Sequence, residues 1–179
     1  LPRHGMIFGI SAEYAGIGGD AKYNKDYMNF SIFYGLDDYL NYDLILRYKA
    51  RLGAIPWDRK LPVNEKFFMG GIRTVRGYQS GSISAKDENG YLLGGRYTFS
   101  NSIEASIPLV EAAKMRLAFF FDYGMIGEDS FTEEKRAGTG AAIEWLSPMG
   151  PISLIFARPL MEKEGDQTSG FEFMMGTQF

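Results

Sequence analysis

Residues 96–107 have the sequence RYTFSNSIEASI, in which two kinds of side chain alternate. Every second residue from Tyr97 is apolar or aromatic except Asn101, and the residues between them are polar or charged. A period of two places these two sets on opposite faces of an extended strand. The stretch therefore predicts a β-strand with one polar and one apolar face.

The same alternation recurs along the chain, whereas the helical period of 3.6 is almost absent. It predicts eight strands, over residues 6–14, 28–36, 41–53, 95–107, 114–124, 136–147, 151–160 and 170–179. The sequence shows neither a further internal repeat nor a linker within this series of predicted strands. We therefore predict an all-β, antiparallel fold in a single domain, residues 1–179, with one long loop at about 54–94.

Composition excludes several kinds of site. The chain has 179 residues, no cysteine and one histidine, His4. Without cysteine it has neither a disulfide framework nor a thiolate metal site. Its 19 basic and 22 acidic residues give no excess of positive charge for nucleic acid. We therefore predict no metal site, no catalytic site, no cofactor and no nucleic-acid partner.

Two kinds of eight-stranded barrel fit this pattern. In a transmembrane barrel the apolar faces point outward, short and long connections alternate, and aromatic residues lie at the strand ends. In a soluble barrel of the lipocalin kind the apolar faces point inward. The predicted connections do alternate, with 15–27, 54–94, 125–135 and 161–169 longer than 37–40, 108–113 and 148–150. This alternation and the mid-strand charges of mixed sign favour the transmembrane barrel; residues 133–136 are predicted as a solvated loop edge.

The segment FFMGGIRTVRGY, residues 67–78, resembles the GG-x-x-(S/T)-V-R-G-(F/Y) motif of the BamA family. Three further stretches agree with that family in order and spacing: GIGGD at 16–20, WLSPMGPI at 145–152 and ARPL at 157–160. The motif alone marks a POTRA-barrel superfamily that includes TamA and the two-partner-secretion transporters. The resemblance implies the C-terminal eight strands of a sixteen-stranded barrel in the bacterial outer membrane, without the periplasmic POTRA domains.

The resemblance also implies a set of site residues. The loop motif is Val75, Arg76, Gly77 and Tyr78. In the family this loop folds into the lumen, where its arginine meets acidic residues of the barrel wall. The matching positions are Glu104 and Asp122, which the period of two places on the polar faces of their strands. The alternative is that Arg76 caps a surface turn and both carboxylates are ordinary lumen charges.

The terminal strand resembles the signature by which outer-membrane barrels are recognised during assembly. Its apolar residues lie two apart, and the chain ends on an aromatic residue. In the BamA family this strand forms one side of a seam that opens laterally. The candidate seam residues are Phe171, Phe173, Gly176 and Phe179.

The function that the resemblance implies is the folding and insertion of outer-membrane proteins, without ATP and without enzymatic chemistry. Client β-strands would be templated at the seam. The implied partners are outer-membrane lipids, unfolded outer-membrane proteins and, through the missing periplasmic domains, assembly-complex lipoproteins. One alternative is a polypeptide translocation pore of the TamA or two-partner-secretion type. The other is a barrel hydrolase, for which His4 is the one available histidine.

The position of the long loop depends on whether the eight strands close. A closed eight-stranded barrel has a lumen filled by side chains. In that case residues 54–94 would lie outside, and Arg76 could not reach Glu104 and Asp122. Two copies pairing edge to edge are the other possibility, and the sequence leaves both open.

Overall fold

The computed structural model describes residues 2–176, in which eight strands form one antiparallel sheet. The strands are β1 (His4–Ala15), β2 (Lys22–Gly35), β3 (Ile45–Arg59), β4 (Tyr97–Val110), β5 (Met115–Gly127), β6 (Glu134–Ser147), β7 (Gly150–Pro159) and β8 (Phe171–Met175). A short helix α1 (Asp37–Leu40) and a 3₁₀ turn (Val63–Glu65) lie between strands. None of the helices in residues 2–176 is both long enough and apolar enough to cross a membrane.

The sheet follows the order of the sequence from β1 to β8 and is not closed. Within the described residues, β1 pairs with β2 alone and β8 with β7 alone. The sheet is nevertheless curled. This is seen from one cavity, which is lined by Pro2, before β1, by Gly176, after β8, and by Arg47 and Glu104. The curl creates a concave face with room for the long loop, which a closed eight-stranded barrel would not have.

The two faces of the sheet carry the side chains that the alternation predicts. On β4 and β5 the concave side holds Ser102, Glu104 and Asp122, all of them buried. The opposite side holds Ile103 and Phe119, which are 59% and 51% exposed. Polar residues are thus inside and apolar residues outside, the reverse of what a soluble barrel requires.

Most strands are longer than the alternation predicts, and the extension of β3 shortens the long loop. β2 begins at Lys22 instead of residue 28, and β3 continues to Arg59 instead of 53. Pro56 lies in that extension, where the pairing of the two strands has an irregularity between Asn24 and Asp26. Proline is tolerated in a sheet at such irregularities, so the chain connecting β3 to β4 is residues 60–96.

Other boundaries also differ from the prediction. Helix α1 occupies part of the β2–β3 connection, so β3 begins at Ile45 and not at residue 41. With β2 starting early, the β1–β2 connection (16–21) is shorter than the β2–β3 connection (36–44), and the predicted alternation of lengths is wrong for this first pair. β8 covers Phe171–Met175, and the predicted remainder at 177–179 lies outside the described residues.

Candidate functional site

The loop 60–96 packs against the concave face of the sheet. Short β-bridges shape it, joining Phe67 to Gly95 and Met69 to Ile83. Its apolar side chains form a buried cluster with residues of β2, β3 and β5. The members of this cluster are Tyr23, Ile55, Phe67, Met69, Val75, Tyr78, Ile83 and Ile126. Burial of this apolar surface stabilises the docked loop.

Glycines in the sheet make room for the loop backbone. A Cβ built on Gly138 of β6 would overlap the main-chain oxygen of Arg76. One built on Gly124 of β5 would lie 2.7 Å from Cγ2 of Val75. The loop itself turns at Gly77, whose φ of +105° strains any residue with a side chain. The motif therefore lies directly on the sheet because the strands lack side chains at these points.

The side chain of Arg76 is buried against the concave face of strands β4 and β5. Its Nε and Nη2 donate to the two carboxylate oxygens of Asp122, each at 2.7 Å. Nη2 also donates to Glu104 at 2.8 Å and to Ser102 at 2.9 Å. The backbone N–H of Arg76 donates to Asp122 at 3.0 Å. The guanidinium carbon lies 3.6 Å from the ring centroid of Phe120.

This geometry fixes both the charge and the position of the arginine. Burial lowers the pKa of Arg76, but its contacts with Asp122 and Glu104 outweigh that effect and raise it. Paired N–H···O bonds between a guanidinium and a carboxylate are directional as well as strong. Removing one partner of a buried pair leaves an uncompensated charge, which costs about 3–5 kcal/mol. Arg76 therefore joins the loop to β4 and β5, and loss of the arginine or of its carboxylate partners would lower the stability of the docked loop.

Arg47 of β3 extends this network to a third carboxylate. Its Nε lies 2.9 Å from Glu104, and its Nη1 donates to Glu144 of β6 at 2.9 Å. Carboxylates and guanidiniums thus alternate from Asp122 through Arg76, Glu104 and Arg47 to Glu144. The period of two in the sequence predicts that Arg47 and Glu144 lie on the polar faces of their strands, but it does not predict that they pair. Two other arginines form ion pairs of their own. Arg96, just before β4, pairs with Asp58, and Arg116, near the start of β5, pairs with Asp43.

Tyr78 anchors the tip of the motif. The residue is fully buried, and its hydroxyl donates to the backbone oxygen of Ala137 at 3.1 Å. Its backbone forms a β-bridge with Thr168 in the connection between β7 and β8. The motif is therefore bound on one side by the sheet and on the other by residues 160–170.

An ion pair that the sequence does not predict secures residues 160–170. Arg136, expected in a solvated loop edge, lies in β6 and is only 4% exposed. Its Nε and Nη2 donate to Asp166 at 2.7 and 3.0 Å. Burial raises the pKa of the Asp166 carboxyl, but the hydrogen bonds from Arg136 and from the backbone of Lys163 outweigh it and lower that pKa.

The remaining predicted residues take no part in the ion pairs of this network, although Gly176 lines the same cavity as Arg47 and Glu104. Phe171 and Phe173 of β8 point outward and are about half exposed. Gly176 follows β8 with a φ of +107°, and Phe179 lies outside the described residues. His4 begins β1, where its ring meets Tyr34 edge to face. Residues 2–176 hold no group of three or more His, Asp or Glu side chains placed to bind a metal ion.

Comparison with known proteins identifies the family. The chain matches the Omp85 superfamily domain over residues 1–179. It is 29% identical to the outer membrane protein assembly factor BamA of Neisseria meningitidis, with 99% of this chain and 26% of that protein covered. It is 34% identical to BamA of Nitratidesulfovibrio vulgaris, with 99% of this chain and 23% of that protein covered. The chain thus spans about a quarter of the length of these relatives.

The fold has a solved counterpart. The crystal structure of BamA from Haemophilus ducreyi lacking POTRA domains 1–3 superposes with a TM-score of 0.84 and 24% identity, covering 97% of this chain and 38% of that one. These similarities confirm the predicted resemblance, and they confirm a β-barrel fold of the bacterial outer membrane. Over residues 1–179, this chain therefore belongs to the Omp85 superfamily.

Proposed function

We propose that the chain is part of a BamA-like assembly factor that folds and inserts other outer-membrane barrels without ATP. Relatives that carry the name of outer membrane protein assembly factor align over nearly all of this chain, which supports the proposal. No residue is given a catalytic role. The work would be done by a sheet edge and by the free energy that client strands gain when they pair.

The short terminal strand β8 is the observation that carries this proposal. β8 spans 5 residues, whereas β4 spans 14 and β6 spans 14. It pairs with Ile152–Phe156 of β7, and a seam that opens along its other side would leave that edge of β8 unpaired. Each unpaired backbone group at such an edge costs several kcal/mol in lipid. An incoming strand that completes the hydrogen bonds is therefore strongly favoured there.

The network around Arg76 stabilises the middle of the sheet and not β8. It joins the loop to β3, β4, β5 and β6, so the middle of the sheet is held by ion pairs as well as by backbone hydrogen bonds. β8 lies outside the network. We infer that β8 yields first when the barrel opens, while the loop keeps the neighbouring strands in register.

The proposed partners follow from the surfaces of the sheet. Outward side chains such as Ile103 and Phe119 would contact the lipid acyl chains. Unfolded barrel proteins would pair at β8. Assembly-complex lipoproteins would bind to periplasmic domains of the longer protein.

Depletion of the full-length protein tests the proposal. The cells would then receive a wild-type copy, an Arg76→Ala copy or an Arg73→Ala copy. Arg73 is the matched control, because it lies in the same loop and is exposed. We expect depletion to lower many unrelated barrel proteins, and we expect Arg76→Ala to restore them poorly and Arg73→Ala to restore them fully. Normal barrel levels with loss of one secreted protein would instead support a translocation pore.

Crosslinking tests the place of templating. A photoreactive amino acid at Phe173 would report on the β8 edge, and one at Ile103 would be the control on an outward position of a fully paired strand. We expect client proteins stalled during assembly to crosslink at Phe173 and not at Ile103. Equal crosslinking at both positions would contradict templating at β8.

A further inference from the structure

Residues 165–169, which we call the strap, form the part of the β7–β8 connection that contacts the motif loop. The N–H of Gln79 donates to the oxygen of Gln167 at 3.0 Å, and the N–H of Ser169 donates to the oxygen of Gly77 at 3.0 Å. These two bonds flank the bridge between Tyr78 and Thr168. The strap therefore adds a short strand to the motif itself.

Side chains strengthen this contact at the other end of the strap. Lys86 donates through Nζ to the oxygen of Gly165 at 3.1 Å. Asp166 accepts two bonds from Arg136, and one of its oxygens also accepts the N–H of Lys163 at 2.9 Å. The side chains of Arg136 and Asp166 are only 5% and 2% exposed. Asp166 thus fixes the strap to β6 and also shapes the turn that leads into it.

A connection of one residue joins the strap to β8. Only Gly170 separates Ser169 from Phe171, the first residue of β8. One residue of extended chain spans roughly 3.3–3.6 Å. The first residue of β8 therefore cannot move relative to the motif by more than a few ångström unless the strap releases the motif.

We propose that the strap couples β8 to the motif loop, and that Asp166 is a positioning residue that holds the strap in its docked state. Any movement of the start of β8 away from the motif during seam opening would require residues 165–169 to leave residues 77–79. This inference rests on the proposed function, since it concerns how the same seam is controlled. In this proposal Asp166 and Arg136 affect client insertion by holding the strap, and neither residue contacts a client.

A disulfide between strap and motif tests the coupling. Gln79 and Gln167 lie opposite each other with exposed side chains, and the chain has no cysteine of its own. Opposite residues of an antiparallel pair have Cα atoms about 4.5–5.5 Å apart, which suits a disulfide. The test uses the full-length protein in vesicles, as Gln79→Cys/Gln167→Cys. The control is Ile103→Cys/Phe121→Cys, a pair across the β4–β5 hairpin.

We expect oxidation of the strap pair to slow client insertion several-fold, and we expect a reductant to restore it. The two single variants and the β4–β5 pair should insert clients at the wild-type rate in either redox state. Insertion by the oxidised strap pair at the rate of its reduced form would overturn the coupling. If the wild-type protein itself inserted no clients, the proposed function would fail instead, so the two failures are distinguishable.

The role of Asp166 is measured by the rate at which the strap disulfide forms. Asp166→Asn keeps the shape of the side chain and removes its charge, and Glu164→Gln is the matched control at an exposed carboxylate two residues earlier. We expect Asp166→Asn to slow disulfide formation several-fold, Asp166→Glu to recover part of the rate, and Glu164→Gln to leave it unchanged. Unaltered heat-dependent migration of each barrel on a gel shows that folding is intact. An unchanged rate in a folded Asp166→Asn protein would overturn the positioning role.

Discussion

The main-chain oxygen of Arg76 lies so close to Gly138 that a Cβ on this glycine would overlap it. The docked position of the motif thus depends on a missing side chain in β6 as much as on the charges around the guanidinium. Loop and strand approach each other backbone to backbone at this point. Any residue larger than glycine must push one of them away.

Gly138→Ala should therefore displace the motif. Overpacking of a well-packed site costs about 1–3 kcal/mol, and the loop should lose protection from protease at the exposed Arg73. The measurement is the rate of tryptic cleavage in the folded full-length protein. Gly19→Ala is the control, because a Cβ there meets nothing within 4 Å; equal cleavage rates for the two variants would contradict the prediction.

Arg76→Lys should destabilise the docked loop although the charge is kept. Lysine cannot bind both oxygens of Asp122 in parallel and reach Glu104 at the same time. We expect a loss below the roughly 3–5 kcal/mol of a broken buried ion pair. Denaturant unfolding of Arg76→Lys, Asp122→Asn and the double variant measures the coupling between the two residues. Additive effects of the two changes would contradict a direct pair, and Arg73→Lys is the control for the substitution.

Tyr78→Phe should cost about 0.5–1.5 kcal/mol of stability. The change removes the hydrogen bond to Ala137 and leaves the buried ring in place. The matched control is Tyr91→Phe in the same loop, where the tyrosine is 70% exposed and the effect should be within about 0.5 kcal/mol. Denaturant unfolding measures both variants, and equal effects would show that the hydroxyl of Tyr78 contributes nothing specific.

The strap contact should weaken in acid. The pKa of Asp166 is lowered in the folded protein, below its unfolded value of about 3.9. Its carboxylate therefore stabilises the fold fully above the unfolded pKa, and this contribution is lost as the pH falls through the folded pKa. Hydrogen exchange at the amides of Gln79 and Ser169, corrected for intrinsic rates, should show constant protection near neutrality and a fall below about pH 4. Asp166→Asn should show low protection at every pH.

The alternation of side chains was enough to predict the eight strands and their faces. It placed Glu104 and Asp122 on the polar side of β4 and β5, which is the concave side in the structure. The family motif supplied Arg76. This worked because a strand with two different faces leaves a period of two in the sequence, whatever it pairs with.

The same alternation failed where the long loop buries polar residues of a strand or where a strand holds an irregularity. The first residues of β2 are polar apart from two tyrosines, and Tyr23 and Lys25 are buried where the long loop packs over them. Arg136 and Asp166 lie 30 residues apart, and nothing local indicates that they meet. Contacts of this kind depend on how the loops return to the sheet, which single-strand patterns do not record.

The sequential order of the strands has a consequence for how the barrel folds. Each hairpin joins neighbours in the chain, and such local contacts form early. The buried ion pairs join residues that are 28, 46 and 97 positions apart, so the complete network, which includes Arg47 with Glu144, cannot form until β6 has added to the sheet. A slip of one residue in β4 would turn Glu104 outward and leave Arg76 without that carboxylate. The loop therefore docks late in folding, and it docks fully only on a sheet in which β3 to β6 are in the correct register.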